Sequence, residues 1–146
     1  MSRTHYSDIA SALDGHLDGM NHNVAWENRH FKPPTDGSLY LRQYNMPVST
    51  RIADLGSDAN DYTVGIYQID VVGIAGKGKA AIYELADEVA DHFRTGVRVQ
   101  YNGISVRITQ VERAAITIDE RSAFMPITVY YESYTRSRNP NLVIIA

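Results

Sequence analysis

The chain has no cysteine. Disulfide staples and thiolate metal sites are therefore excluded, and the default compartment is a reducing cytoplasm. No apolar run approaches the ~20 residues that cross a bilayer as a helix. Polar residues and Asp8 stand where a secretory leader would carry its apolar stretch, so no signal peptide is expected. The formal net charge of −3 is too small to argue for nucleic acid or membrane as a partner. Phenylalanine is scarce, with 3 residues against 10 tyrosines. Tyrosine suits half-buried sheet faces and protein interfaces, because its ring packs while its hydroxyl stays wet. A length of 146 residues fits one domain with a substantial core. We assign residues 1–134 to that domain and 135–146 to a C-terminal tail that is basic and polar before closing on Leu142, Val143, Ile144 and Ile145.

The organising stretch is 62–96, a long strand, a glycine-lysine elbow and an amphipathic helix. Ile82, Leu85, Ala86, Val89 and Phe93 recur at helical spacing and form one apolar stripe. Glu84, Asp87, Glu88 and Asp91 fill the other face. In the strand, Tyr67, Ile69 and Val71 share one side, while Val64, Ile66, Val72 and Ile74 share the other with Gln68 and Asp70.

Residues 4–18 read as a first helix, with Thr4 as its cap and Tyr6, Ile9, Leu13 and Leu17 as its stripe. A short strand is expected at 24–28, a loop through Pro33 and Pro34, and a further strand at 38–46. The polar stretch 48–61 has no period, and we expect it to extend the flanking strands into an arm. Asn102-Gly103 is a favoured two-residue hairpin turn. It sets Tyr101 opposite Ile104, Val99 opposite Val106 and Val97 opposite Ile108. It also sets Arg98 opposite Arg107, so an acidic group is expected beside them, from the helix face or from another subunit. After a polar connection over 112–123, residues 124–134 form the last strand, with Pro126 near its start or on an edge. Runs of strands with two helices predict an α+β domain, a largely antiparallel sheet with the helices on one face.

Gly73 to Lys79 fits the spacing G-x-x-x-x-G-K between a strand and a helix, the context of a phosphate-binding loop. Ala80 stands where that motif needs a serine or threonine for magnesium, and the antiparallel hairpin that follows does not suit the parallel sheet of such enzymes. A nucleotide-binding enzyme built on this 73–80 elbow is the alternative from another class. Glu27 and His30 have an i, i+3 spacing without a second copy, and Asp54, Asp58, Asn60 and Asp61 miss the spacing of a calcium loop. No metal, no cofactor and no catalytic residue is assigned. Lys77, Lys79, Arg94, Arg98, Arg107, Arg113, Arg136 and Arg138 could gather as a basic patch for nucleic acid, but acids are interspersed among them.

In order along the chain stand AWEN at 25–28, Phe31-Lys32-Pro33-Pro34, LYLR at 39–42, Leu55-Gly56, GIYQIDV at 65–71, the elbow glycines Gly76 and Gly78, Phe93, NGISVRI at 102–108 and ITVYYES at 127–133. With that ordered set the chain resembles the small, lambda-type tail terminator proteins of long, non-contractile-tailed bacteriophages. The resemblance covers about residues 5–134. It implies a structural virion protein without enzymatic activity, assembled in the host cytoplasm and located at the head-proximal end of the tail. Such proteins form a six-membered ring that ends polymerisation of the tail tube protein and presents a surface to head-completion or neck proteins, while DNA passes through the lumen without sequence-specific contact. A head-tail connector or another neck protein is the neighbouring alternative. For the ring, we expect subunit or tube contacts from the 48–61 arm (Arg51, Asp54, Asp58, Asp61) and the tyrosine strand face (Tyr130, Tyr134). The acidic helix face (Glu84, Glu88, Asp91) is expected to meet the basic hairpin face (Arg98, Arg107) of a neighbour.

Overall fold

The computed structural model of the protein describes residues 6–52 and 60–136. The first helix, α1, spans Tyr6–Asp18 and buries Ile9, Ala12, Leu13 and Leu17. Its expected cap, Thr4, lies outside the described residues. The strands are β1 (Val24–Ala25), β2 (Tyr40–Ile52), β3 (Asn60–Ile74), β4 (Arg98–Tyr101), β5 (Ile104–Arg113), β6 (Thr117–Asp119) and β7 (Ser122–Arg136). The second helix, α2, spans Ala80–His92 between β3 and β4. One sheet runs in the order β1-β2-β3-β7-β5-β4, with β6 paired to β7. Every pairing is antiparallel except β1 with β2. The fold class is α+β.

The core forms on one side of this sheet. Tyr67, Ile69 and Val71 of β3 are fully buried, as are Ile127 and Val129 of β7 and Val106 and Ile108 of β5. The helical stripe Ile82, Leu85, Ala86, Val89 and Phe93 enters the same cluster, together with Ile9, Leu13 and Leu17 of α1. Tyr67 touches both helical segments: its hydroxyl donates to Asp14 Oδ1 at 2.6 Å, and its ring lies 5.9 Å from that of Phe93. Burying a large aromatic or aliphatic side chain contributes roughly 1.5–3 kcal/mol, so this shared cluster is the main force joining helices to strands.

Three departures from the sequence reading have local causes. The strand expected at 24–28 is paired only over Val24–Ala25. Beyond it Asn28 adopts φ 55° and Arg29 N–H donates to Trp26 O, closing a turn. Side chains take over the ladder there: Glu27 N–H donates to Gln43 Oε1, and Asn45 N–H donates to Glu27 Oε1. Second, β2 does not stop before Pro47 but runs on to Ile52, opposite Asp61 of β3. A proline is tolerated because β1 pairs only Leu41 and Arg42, so the outer edge of β2 at Pro47 faces no strand. The register shifts between Pro47 and Ser49, leaving Val48 as the extra residue of a bulge. The stretch expected to extend its flanking strands into an arm over 48–61 is strand at both ends, and its middle, 53–59, lies outside the described residues. Third, Pro126 sits inside β7, opposite Asp70. Its carbonyl accepts from Ala114 N–H, so its nitrogen points to the same side, into the gap between the β6 and β5 pairings. No ladder donor is lost there.

The hairpin follows its sequence signal. Asn102 and Gly103 take φ 52° and 81°, and the four pairs from Tyr101 with Ile104 to Arg98 with Arg107 form in the expected register. At its base Gly96 N–H donates to Ile108 O and Ile108 N–H donates to Val97 O, so two residues oppose one.

Candidate functional site

The even-numbered side chains of β3 and β7 point away from the core cluster. From the end near Asn60 they run Tyr62, Val64 and Ile66 on β3, with Tyr134, Glu132 and Tyr130 opposite them on β7. A groove of about 420 Å³ lies among Val48, Tyr62, Val64, Ile66, Thr109 and Tyr130. Its polar groups are tied to one another. Arg107 Nη1 donates to Glu132 Oε2 at 3.3 Å, and Tyr62 Oη donates to Glu132 Oε1 at 3.0 Å. The rings of Tyr62 and Tyr134 lie 4.7 Å apart. Tyr130 Oη donates to Glu112 Oε1 at 2.6 Å, and that carboxylate holds the phenol above its ordinary pKa. The acid beside Arg107 is therefore Glu132 from the adjoining strand, where the sequence had suggested the helix or a second subunit.

Farther along the same face the sheet is covered. Asp70 is 2% exposed, and its Oδ2 accepts from both Nε and Nη2 of Arg42, at 3.1 and 2.9 Å. Gln68 Nε2 donates to the other oxygen. The Arg42 guanidinium lies over the ring of Phe124, 4.7 Å from its centroid. The carboxylate thus receives three donors, which is what makes its burial tolerable.

The residues expected at subunit contacts fall into three groups. Glu84, Glu88 and Asp91 are exposed on α2, and Glu88 is paired with His22 at 3.1 Å. Arg98 is exposed and Arg107 is half-buried, both on the face away from the core. The helix acids and the hairpin arginines do not meet within the chain, since Arg107 pairs with Glu132, and Arg113 of β5 takes Asp87 of α2 at 2.6 Å. Tyr130 and Tyr134 border the groove, Asp61 is half-buried on β3, and Arg51 stands opposite Tyr62 in the β2–β3 ladder. Asp54 and Asp58 lie outside the described residues.

A second concavity, about 750 Å³, opens between α1 and the start of β2, lined by Tyr6, Asp14, Asp18, Trp26, Glu27 and Arg29 among others. Asp14 is pushed above the ordinary carboxylate range, first by burial, with Glu27 adding repulsion and the Tyr67 hydrogen bond pulling the other way. Burial and the same acids also raise the Tyr67 phenol.

The elbow at 73–80 does not have the surroundings of a phosphate loop. Its strand, β3, has antiparallel neighbours on both sides. Ala75 N–H is taken by Arg121 O, and Lys79 directs its ammonium over the Tyr83 ring, 5.4 Å from the centroid. A Cβ at Gly73 would come within 2.6 Å of Leu39 Cδ2, whereas Gly76 and Gly78 take positive φ, 88° and 81°, in open space. These glycines make the turn and the close strand contact. Among the described residues, no three histidine or acidic side chains converge as a metal site, and no described helix is long and apolar enough to cross a membrane.

The contacts that sequence reasoning missed, His16 with His92, Asp14 with Tyr67 and Arg42 with Asp70, join residues far apart in sequence. No spacing rule could have found them.

No curated protein matches the chain significantly in sequence. A solved structure superposes with a TM-score of 0.70 at 29% sequence identity, covering 86% of this chain and 92% of its own. The sequence profile of the phage tail terminator protein family matches residues 8–131, from the first turn of α1 into β7. That match takes in both helices and the strands that form the core, and the chain belongs to the phage tail terminator protein family, a family of structural tail proteins.

Proposed function

We propose that this protein caps the head-proximal end of a phage tail tube as a closed ring, stops addition of tube protein and offers its free side to head-completion or neck proteins. The observation that carries this reading is the family match over 8–131. The sheet supplies surface for such contacts, because its face away from the core carries Tyr62, Tyr130 and Tyr134 around a groove. In this reading the ring has six members, DNA passes through its lumen without sequence-specific contact, and the protein resides in the virion after assembly in the host cytoplasm. A ring requires a heterologous interface that closes, so two different patches of each subunit must match. We assign the acidic patch of Glu84, Glu88 and Asp91 to one side and Arg98 and Arg107 to the other. The 48–61 stretch, with Arg51, Asp54, Asp58 and Asp61, and the Tyr130 and Tyr134 strand face supply contacts to the tube or the next subunit.

Negative-stain imaging of the purified protein, alone and with its tube protein, tests the proposal. Closed rings, or rings seated on tubes of limited length, are expected. A strict monomer that leaves tube growth unchanged would refute it. The charge pairing has a separate test: Glu88→Lys should weaken ring formation while the monomer keeps its circular dichroism spectrum, and unaltered rings would discard that pairing alone.

A further inference from the structure

We propose that the concavity between α1 and the start of β2 receives the side chain of an arginine presented by another protein chain. The hollow has a volume of about 750 Å³, room for one long side chain and part of its backbone, and its walls include Asp14, Asp18, Trp26, Glu27, Arg29 and Gln43. Gln43 is 3% exposed, and its Oε1 accepts from Glu27 N–H at 3.2 Å. That bond fixes which end of the amide is the acceptor. The donor end, Nε2, has no hydrogen-bond partner among the described residues. A buried donor without an acceptor is costly. Gln43 lines the hollow, so an acceptor that enters it, such as the backbone carbonyl of a bound segment, completes the amide.

The acids call for a cation. Asp14 and Asp18 stand four residues apart on α1, a spacing at which like charges repel across one turn. Asp18 is also the last residue of that helix, where the macrodipole disfavours a carboxylate. Glu27 adds its own repulsion to Asp14. Among the described residues none of these three carboxylates takes part in an ion pair, and neither does the exposed Arg29. The Asn45 N–H and the Tyr67 hydroxyl occupy one oxygen each on Glu27 and Asp14, which leaves the second oxygens for an incoming donor. A guanidinium carries five N–H donors in one plane and stacks on an indole, whereas an ammonium is a compact point charge. Trp26 in the wall therefore favours arginine over lysine. None of these residues is among the proposed ring or tube contacts, so this site stands or falls apart from the ring.

Trp26 is the one tryptophan of the chain, so its fluorescence and its indole N–H resonance report on the hollow without background. The probe is N-acetyl-L-argininamide, raised to tens of millimolar at constant ionic strength. N-acetyl-L-citrullinamide has the same shape without the charge. The expected result is a saturable change at Trp26 with the arginine probe and binding of the citrulline probe weaker by roughly tenfold. Glu27→Gln and Asp14→Asn keep the acceptors for Asn45 and Tyr67 and remove one charge each. Both should weaken the arginine probe several-fold, and Glu88→Gln on α2 should leave it unchanged. No saturable change, an equal response to the citrulline probe, an affinity unaltered in either pocket variant, or equal weakening by Glu88→Gln would overturn the proposal. Tighter binding of free L-arginine than of the blocked probe would also overturn it, since the ligand would then be an amino acid and not a protein chain.

Discussion

His16 of α1 and His92 of α2 lie ring on ring, 3.8 Å between centroids and 11° from parallel, and each holds the other's backbone. His16 Nε2 meets the His92 carbonyl at 2.7 Å, and His92 Nε2 meets the His16 carbonyl at 2.6 Å. A carbonyl only accepts, so both Nε2 atoms carry the proton. The pair joins the last turns of the two helices and rests edge-on against Phe93.

This pair makes stability depend on pH. Burial holds His16 below the ordinary imidazole pKa, and repulsion from His92 adds to it, against the pull of the His92 carbonyl. As pH falls through about 6.5, the unfolded chain takes up the proton before the folded one does. The stability contributed by neutral His16 is therefore present above that pH and lost below it. Denaturant unfolding between pH 8 and pH 5 should show a falling midpoint. His16→Phe keeps the ring but cannot titrate, so its midpoint should be lower at pH 8 and change less with pH.

Asp14 should respond in the opposite sense. Its folded pKa is raised, chiefly by burial, so the folded state holds its proton longer and stability from this group falls as pH rises past about 4. Asp14→Asn retains an acceptor for Tyr67 and removes the buried charge, and it should raise the unfolding midpoint at pH 7. The gain should vanish in acid. Tyr67→Phe deletes the donor and should cost about 1 kcal/mol in the same assay.

Gly65 lies opposite Tyr131 in the β3–β7 ladder, and the tyrosine ring crosses above it. A Cβ at position 65 would fall 2.3 Å from Tyr131 Oη and 2.5 Å from Cζ. Tyr131 is 1% exposed, with its hydroxyl held by Asn45 Oδ1, so it has little freedom to move. Gly65→Ala should cost about 1–3 kcal/mol by overpacking. In a double-mutant cycle with Tyr131→Leu the two losses should be less than additive. Additive losses would show that the ring does not cause the strain.

The Arg42–Asp70 pair predicts a large, salt-insensitive loss. Asp70→Ala strands Arg42 and Gln68 beside a buried site and should cost about 3 kcal/mol, the low end for a broken buried pair because the Arg42 side chain is 30% exposed. Unfolding curves in low and high salt should show the same difference.

The elbow should not bind nucleotide. ATP or GTP with magnesium, at millimolar concentration, is expected to leave the melting temperature unchanged. A rise abolished by Lys79→Ala would reinstate phosphate binding at 73–80.

The amino-acid order by itself determined the features that repeat or close over a few residues. The α2 stripe from Ile82 to Phe93, the Asn102-Gly103 turn with its register, and the α1 apolar positions are legible because helix and strand periods act locally. The ordered motifs also sufficed to point to the family. Only the tertiary structure decided where proline could stand in a strand. Pro47 and Pro126 are admitted because their nitrogens face no ladder, and that depends on which strands lie alongside. It likewise decided that Glu132 answers Arg107, that Tyr131 requires glycine at 65 and that His16 stacks on His92. Each of these is a contact between distant residues, fixed by the pairing of β3 with β7, of β5 with β7, or by the joint docking of the helices. The face of the long strand from Tyr62 to Ile74 shows the limit most plainly. Its apolar residues occupy both sides, and only the packing of the helical stripes buries Tyr67, Ile69 and Val71 and leaves Val64 and Ile66 half-open.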